Sequence, residues 1–166
     1  MKADKVYLVG FMAAGKTTLA RALGKRLDWR AEDVDERIEA REGRTIASIF
    51  AREGEAYFRA VERAVLVDLL PLRHLVVATG GGTFVAPENR AAINRDGFSV
   101  WLDVPLARVI DRLPPDGRRP LAGDRDQLER LYAARRLAYQ QAHLRLDGSG
   151  ARVGDLVEQV VAALDV

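Results

Sequence analysis

Short apolar segments alternate with longer segments of helical periodicity along almost the whole chain. The apolar segments predict strands at 6–10, about 29–33, 75–79, 98–103 and 143–147. Apolar residues at three- and four-residue spacing predict helices near 16–27, 35–42, 45–52, 54–70, 87–95, 105–112, 124–141 and 153–164. Strands that alternate with helices favour a parallel sheet covered by helices on both faces.

This pattern fits one domain, because the chain of 166 residues contains no internal repeat, low-complexity tract or linker. The second predicted strand, at about 29–33, is the weakest because few of its side chains are apolar. Gly43 and Gly54 are typical of helix ends, whereas Thr45 and Asp124 are typical of helix starts. We therefore expect an α/β fold of three layers, α/β/α, with a central five-stranded parallel sheet.

Composition excludes several classes of function. The chain has 26 basic and 24 acidic residues, a net charge of +2, so it lacks the basic excess of a nucleic-acid-binding protein. It contains no cysteine, which excludes disulfides, thiolate metal sites and cysteine nucleophiles. No signal peptide precedes the first predicted strand, and no apolar segment approaches membrane-spanning length. We expect a cytoplasmic protein without nucleic-acid or membrane partners.

The first predicted strand leads into a phosphate-binding motif. The segment Gly10–Thr17 fits the pattern G-x-x-x-x-G-K-[ST], and a helical pattern follows it. Its glycines allow successive N–H groups to point at phosphate oxygens, and the helix adds the positive end of its dipole. Lys16 is then expected to reach the β- and γ-phosphates, and Thr17 to bind Mg²⁺. The complete motif favours this interpretation over a plain glycine-rich turn with a surface lysine.

Two aspartates follow the second predicted strand. Asp33 and Asp35 are two residues apart, so in an extended segment both carboxylates lie on one face. A kinase that acts on an alcohol needs Mg²⁺ near the phosphates and an acceptor for the hydroxyl proton, and two carboxylates can divide these tasks. Alternatively, Asp35 caps the next helix and Asp33 is solvated. The pattern alone does not decide between these two interpretations.

Three consecutive glycines close the third predicted strand, in the segment Thr79–Gly82. Glycines expose backbone N–H groups and let a ligand approach the chain closely. Three in a row cost conformational entropy that a plain turn does not require, which favours a ligand site. The segment is not a G-x-G-x-x-G fingerprint, so it does not support a dinucleotide site.

Two arginines lie near apolar helical stripes. Arg135 is four residues after Leu131 and four before Tyr139, on the stripe itself. An arginine on a buried face needs an anionic partner, either a structural carboxylate or that of a bound substrate. Arg59 lies at the shoulder of another stripe, where a solvated edge position is the simpler interpretation. Glu62, three residues later, can pair with it on the helix.

The segment 114–124 lacks periodicity and is rich in turn-forming residues. It carries Arg118 and Arg119. In a phosphoryl-transfer enzyme such a loop can close over the nucleotide and exclude water. Because the phosphate-binding motif is present, we favour a lid over a solvated surface loop.

Together these motifs resemble those of the shikimate kinases, small P-loop enzymes of the nucleoside-monophosphate-kinase type, almost from end to end. The motifs that carry the resemblance are Gly10–Thr18, Asp33–Asp35, Arg44–Phe50, Gly54–Arg59, Thr79–Gly82, Arg119–Leu121, and Arg135 with Tyr139. Their shared order is far more specific than the P-loop alone. The resemblance implies one P-loop kinase domain over 1–166, with a lid at approximately 112–124 and a substrate-binding helical region at approximately 33–62.

The resemblance also implies an activity and a set of site residues. The activity is transfer of the γ-phosphoryl group of ATP, with Mg²⁺, to the 3-hydroxyl of shikimate in aromatic amino-acid biosynthesis. Catalysis is assigned to Asp35 as base, with Lys16 and Arg119, and the metal to Thr17 and Asp33. The nucleotide-binding residues are Gly10, Ala13, Ala14, Gly15, Lys16, Thr17, Thr18, Arg112, which packs on the adenine, and Arg119. The shikimate-binding residues are Asp35, Phe50, Phe58, Arg59, Gly80, Gly81, Gly82 and Arg135.

The chain departs from the family pattern at several positions. Ala13 and Leu137 stand where the family usually has glycine and proline, and the second strand is unusually polar. A methyl group at position 13 is tolerated only if the backbone dihedrals there are ordinary. The segment 148–153, where the family contacts adenine, has no confident match.

Other functions stay open at this point. Another small-metabolite kinase of the same architecture, such as a gluconokinase-like enzyme, is the nearest alternative. A nucleotide-binding module without catalysis is a second, although Lys16 and Asp35 are both present. We expect the protein to be a monomer.

Overall fold

A five-stranded parallel sheet forms the centre of the protein in the computed structural model, which describes residues 3–113 and 122–164. The strands are β1 (Lys5–Val9), β2 (Arg30–Asp33), β3 (Leu75–Ala78), β4 (Phe98–Asp103) and β5 (Leu144–Asp147). Their order across the sheet is β2-β3-β1-β4-β5, and all neighbouring pairs are parallel. The predicted fold class is confirmed.

Position in the sheet explains which strands are apolar. All residues of β1 and β3 are buried, and both strands lie inside the sheet under helices on both faces. β2 is an edge strand that pairs only with β3, and its side chains are half-buried or exposed. Its charged side chains are therefore compatible with a strand, and the weakest strand prediction is confirmed.

Eight helices cover the sheet in the described residues. They are α1 (Lys16–Leu27), α2 (Val34–Glu42), α3 (Ile46–Glu53), α4 (Glu55–Leu69), α5 (Pro87–Asp96), α6 (Leu106–Arg112), α7 (Ala122–Tyr139) and α8 (Val153–Leu164). All eight were predicted, and most bounds differ by one or two residues. Over residues 3–113 and 122–164, none of these helices has the length and apolar character needed to cross a membrane.

Three of the four predicted helix caps are confirmed. Gly43 ends α2 in the left-handed conformation, and Gly54 ends α3. The Thr45 side chain accepts a hydrogen bond from the Ser48 amide at the start of α3. The prediction that Asp124 caps α7 is wrong, because α7 begins at Ala122 and Asp124 lies within its first turn. An acidic residue there still interacts favourably with the helix dipole.

The strand register brings the predicted motifs to one edge of the sheet. Leu8 of β1 is paired with Ala78 of β3, and Ala78 is paired with Asp33 of β2. The segments that follow these three strands therefore emerge side by side. The chain also crosses from one side of β1 to the other after β3, and open α/β sheets bind ligands at the carboxyl edge next to such a crossing.

Candidate active site

The phosphate-binding loop joins β1 to α1 and packs closely against β4. A Cβ atom on Gly10 would lie 2.7 Å from the carbonyl oxygen of Leu102, so only glycine permits this approach. Gly15 and Ala13 both have positive φ, of 100° and 57°. The backbone at Ala13 is therefore left-handed, and the condition under which a methyl group costs nothing there is not met.

Lys16 begins α1 and is almost inaccessible, with 8% of its surface exposed. Its ammonium group donates to the carbonyl oxygens of Gly10 and Phe11, both at 2.7 Å. Burial lowers the pKa of Lys16 to about 8, although the nearby carboxylates of Asp35 and Asp33 oppose the change. The side chain keeps its charge at neutral pH and is held inside the loop where phosphates are expected.

Asp33 connects the end of β2 to the phosphate-binding loop. Its carboxylate accepts hydrogen bonds from the Thr17 hydroxyl and, at 3.0 Å, from the Glu36 amide. Asp33, and not Asp35, is therefore the N-cap of α2, and the interpretation that made Asp35 the cap is wrong. A hydroxyl and a carboxylate in contact offer the hard oxygen atoms that Mg²⁺ prefers. Among the described residues, no group of three or more acidic or histidine side chains forms a separate metal site.

Asp35 lies in the first turn of α2 and faces the same space as Lys16. Burial raises its pKa to about 6, and the charge of Asp33 adds to this effect while Lys16 opposes it. In the described residues, no side chain or amide donates a hydrogen bond to this carboxylate. Asp35 therefore has the free lone pairs and the basicity that suit a proton acceptor near neutral pH.

The three glycines after β3 each approach a different functional side chain. A Cβ on Gly80 would lie 2.9 Å from an Asp35 carboxylate oxygen, and one on Gly81 would lie 3.0 Å from Arg135. On Gly82 it would lie 2.5 Å from the Arg59 guanidinium. The triple glycine thus lets the ends of the Asp35, Arg59 and Arg135 side chains approach one loop closely, and its role as a ligand site stays a prediction.

Arg59 is oriented by a buried carboxylate on its own helix. Its Nη1 donates to both oxygens of Glu62, at 3.0 and 3.1 Å, which confirms the predicted pair. Glu62 is 1% exposed and also accepts from the Thr83 hydroxyl at 3.0 Å. The Thr83 oxygen in turn accepts from the Gly80 amide. This network, which the sequence did not reveal beyond the first pair, joins Arg59 to the glycine loop.

Arg135 reaches the opposite side of the glycine loop from α7. Its guanidinium lies over the Phe11 ring at 5.7 Å. Tyr139, one turn later, donates from its hydroxyl to the carbonyl of Gly81. Within the described ranges no carboxylate lies within ion-pair distance of Arg135. Of the two predicted partners for this arginine, a structural carboxylate is therefore absent from the described part of the chain, and a ligand carboxylate stays a prediction.

A cavity of about 210 Å³ lies between these groups. Its polar wall contains Asp35, Arg59, Glu62, Arg135 and the three glycines, and its apolar wall contains Met12, Ile46, Phe50 and Phe58. The Phe50 and Phe58 rings lie 4.6 Å apart, as expected for residues predicted to share a wall. Met12 and Ile46 were not predicted, because neither their type nor their spacing signals a binding role. The cavity suits a small, polar acid.

A second cavity, of about 260 Å³, lies on the other side of the phosphate-binding loop. Of the predicted nucleotide-binding residues, Ala14, Gly15, Thr18 and Arg112 line it, and Arg112 donates to the Ala14 carbonyl at 2.9 Å. The remaining walls come from the segment 148–153, through Gly148, Ala151 and Val153, and from residues that the sequence did not single out, namely Leu19, Leu102, Val104 and Leu156. The segment 148–153 thus contributes to a base-sized cavity even though its sequence matched no motif.

Part of the predicted lid cannot be compared with the structure. Arg119 and Arg118 lie outside the described residues, as does most of the segment 112–124. The described ends of this segment are the C-terminus of α6 and the first turn of α7. The role of Arg119 stays a prediction.

Comparisons with known proteins identify the family. A family model described as shikimate kinase matches residues 12–165. The chain is 36% identical to a shikimate kinase from Persephonella marina over 96% of this chain and 98% of the relative. It also resembles the solved structure of a shikimate kinase from Acinetobacter baumannii in complex with shikimate, with a TM-score of 0.90, 34% identity, and coverage of 98% and 93% of the two chains.

The comparison with a gluconokinase is much weaker. The structure of a gluconokinase from Sinorhizobium meliloti shares 13% identity with this chain at a TM-score of 0.60, over 99% of this chain and 93% of the other. A likeness at this level shows a common fold and nothing about the substrate. From the family model and the relatives above, the chain belongs to the shikimate kinase family.

Proposed function

We propose that this protein transfers the γ-phosphoryl group of ATP to the 3-hydroxyl of shikimate. One observation carries the proposal. The glycine loop after β3 collects one basic carboxylate, Asp35, and two guanidinium groups, Arg59 and Arg135, around a single small cavity beside the phosphate-binding loop. A ring that carries both a carboxylate and hydroxyl groups complements this arrangement. The known relatives named as shikimate kinases support the same substrate.

Substrate binding in this proposal relies on the two arginines. Arg59 and Arg135 clamp the shikimate carboxylate, because a guanidinium forms paired hydrogen bonds with a carboxylate. Glu62 holds Arg59 in place through an ion pair. Arg135 has no carboxylate partner in the described residues, so its guanidinium is available to pair with the carboxylate of the ligand. The ring then lies against Phe50 and Phe58, with its hydroxyl groups toward Asp35.

Phosphoryl transfer in this proposal depends mainly on positioning and charge. Asp35 accepts the proton of the attacking hydroxyl, and its raised pKa of about 6 keeps it mostly ionised at neutral pH while giving it useful basicity. Lys16 stabilises charge on the phosphates, and Arg119 adds a second cation from the lid. Thr17 and Asp33 have the oxygen atoms to hold Mg²⁺, which would neutralise phosphate charge when bound.

The decisive experiment is an ADP-release assay with Mg²⁺-ATP and four conditions: shikimate, gluconate, AMP and no acceptor. We expect turnover that depends on shikimate alone. ATP binding without shikimate-dependent turnover would contradict the proposal and move the assignment to a related kinase or a binding module. As a matched variant, Asp35→Asn should abolish turnover while ATP binding, followed by calorimetry, is retained.

We further propose that the enzyme acts as a monomer, as expected from the sequence. Light scattering at the concentration of the activity assay measures this directly. A dimeric mass at that concentration would contradict it.

A further inference from the structure

Helix α7 is attached to the sheet by three polar side chains along one face. Tyr132, Arg136 and Tyr139 are separated by four and three residues, so they lie on one side of the helix. The Tyr132 hydroxyl donates to the Val104 carbonyl at 2.7 Å, and the Tyr139 hydroxyl donates to Gly81. Arg136 forms a two-pronged ion pair with Asp103. The first described turns of α7 are largely exposed, so these contacts define the position of the helix.

Asp103 ends β4 and is a buried charge, with 6% of its surface exposed. It pairs with two arginines from different elements. Arg136 comes from α7, and Arg145 comes from β5, with its Nε 2.8 Å from the Asp103 carboxylate. Both guanidinium groups also lie near the Trp101 ring, at 4.8 and 5.8 Å. The same carboxylate thus pairs with one arginine within the sheet and one on a helix beside the substrate cavity.

Arg136 directly follows Arg135, the arginine that lines the cavity shared with Asp35 and Arg59. Arg135 lies over the Phe11 ring, and Phe11 meets the Tyr132 ring edge-on at 5.2 Å. Tyr132 also accepts a hydrogen bond from Arg136 at 3.0 Å. Any rotation of α7 about its axis therefore moves Arg135 relative to Gly81 and the cavity. In the described residues no carboxylate orients Arg135 directly; its neighbours are the Phe11 ring and the Tyr139 side chain of its own helix, so its direction follows the placement of α7.

We propose that Arg136, through its ion pair with Asp103, is a positioning residue for acid binding. The pair fixes the rotation of α7, and this rotation aims the Arg135 guanidinium at the substrate carboxylate. Arg136 itself does not line the cavity. This inference rests on the proposed function, because it assigns the carboxylate of shikimate as the group that Arg135 receives.

The chain offers a matched pair of variants for the test. Arg136→Gln and Arg145→Gln each remove one arginine from the same carboxylate and leave the other in place. For Arg136→Gln we expect the KM for shikimate to rise about tenfold, because a misplaced Arg135 guanidinium binds the substrate carboxylate less well. The kcat and the KM for ATP should change less than about twofold. For Arg145→Gln all three constants should stay within about twofold of the wild type, because β5 does not carry a cavity residue. An equal rise in both variants, or no rise for Arg136→Gln, would overturn the inference.

A double variant separates positioning from general loss of structure. If Arg136 acts through Arg135, then adding Arg136→Gln to Arg135→Lys should change the shikimate KM less than about twofold further, since the group being positioned is already impaired. Independent, multiplicative effects would contradict the inference. Should Arg136→Gln not fold, Arg136→Lys serves in its place, because a lysine keeps the charge but not the paired geometry and should raise the KM by about threefold.

Failure of this inference is distinguishable from failure of the proposed function. Wild-type protein without turnover on shikimate would reject the function itself. Wild-type turnover together with an unchanged KM in Arg136→Gln or its lysine substitute would reject only the positioning role.

Discussion

Two buried lysines flank strand β1 and the phosphate-binding loop that follows it, and they differ in what surrounds them. Lys5 begins the strand and is fully buried, whereas Lys16 follows the loop after it and is 8% exposed. Burial lowers the pKa of both. The partners are different: Lys5 contacts the Asp96 carboxylate at 2.7 Å and the carbonyls that end α4, whereas Lys16, within the described residues, donates to two carbonyls of its own loop.

The contrast teaches how one kind of residue serves structure in one place and chemistry in another. Lys5 contacts one carboxylate and two carbonyl groups, so its charge is neutralised by a partner within the fold. Lys16 is held by neutral carbonyl groups, and its positive charge remains available to an anion at the loop. The aspartates around it, Asp33 and Asp35, interact with it through space without an ion pair.

The largest expected effect is on catalysis and comes from removing the charge of Lys16. Lys16→Met should lower kcat/KM by about 1,000-fold, because in the proposed mechanism this lysine stabilises charge on the transferred phosphoryl group. The melting temperature should fall by only a few degrees, since the variant leaves two carbonyl groups but no carboxylate without a partner. Lys25→Met, which removes an exposed lysine near the end of the same helix, is the control and should leave both quantities unchanged. Steady-state kinetics and thermal melts check the prediction.

For Lys5 we expect the opposite of Lys16, namely a loss of stability with activity retained. Lys5→Met should lower the free energy of unfolding by about 3–5 kcal/mol, because it leaves Asp96 and two carbonyls without their partner. For a protein of this size that corresponds to a melting temperature about 10 °C lower. The kcat of the folded enzyme should be retained. Arg73→Gln, which removes a more exposed partner of the same aspartate, should cost less than about 1 kcal/mol. Comparable losses in both variants would contradict the assignment of Lys5 as the structural charge.

Two aspartates extend the comparison. Burial raises the pKa of Asp96, but hydrogen bonds from Lys5 and Tyr7 outweigh it and leave the pKa below its ordinary value. Asp35 has no such donors in the described residues, and burial raises its pKa from 3.8 to about 6. The Asp96 carboxylate is therefore stabilised as an anion, whereas ionisation of the buried Asp35 carboxylate costs free energy.

That cost is measurable as a dependence of stability on pH. Because folding raises the pKa of Asp35, folding favours its protonated form. The resulting stabilisation is present below pH 3.8 and is lost as the pH rises through about 6. At pH 7.5 the variant Asp35→Asn should therefore raise the free energy of unfolding by up to about 3 kcal/mol. Denaturant titrations of both proteins at pH 4 and pH 7.5 test this. A stability difference that does not grow with pH would contradict it.

Much of the fold was predictable because local pattern and global position agree. The apolar segments at β1 and β3 and the caps at Gly43, Gly54 and Thr45 follow rules that involve neighbours in sequence. Three of the site motifs were also predictable, since they come at the ends of strands and parallel strands end at one edge of the sheet, namely Gly10–Thr17, Asp33–Asp35 and Thr79–Gly82. The polar strand β2 was the hard case, because its exposure depends on its place at the sheet edge.

The unpredictable features depend on contacts between distant segments. Asp33 caps α2 and also accepts a hydrogen bond from the Thr17 hydroxyl of another element, a contact that the sequence does not show. The roles of Thr83 and Met12 have no sequence signal, because a threonine after glycines and a methionine in a loop are both common. Arg135 and Arg136 are adjacent and identical in type, and only the packing of α7 directs one to the cavity and the other to Asp103.

The smallest expected effect is on stability and concerns Ala13 in the phosphate-binding loop that leads to Lys16. Ala13 has a φ of 57°, which costs an L-residue about 1 kcal/mol relative to glycine. Ala13→Gly should therefore raise the free energy of unfolding, but only by up to about 1 kcal/mol, since glycine also gains entropy in the unfolded chain. Ala14→Gly is the matched control: Ala14 is buried and does not have a positive φ, so the same change should destabilise the protein. Opposite signs in the two variants would identify Ala13 as a strained position within the phosphate-binding loop, whereas equal losses would show that the backbone there accepts the methyl group without cost.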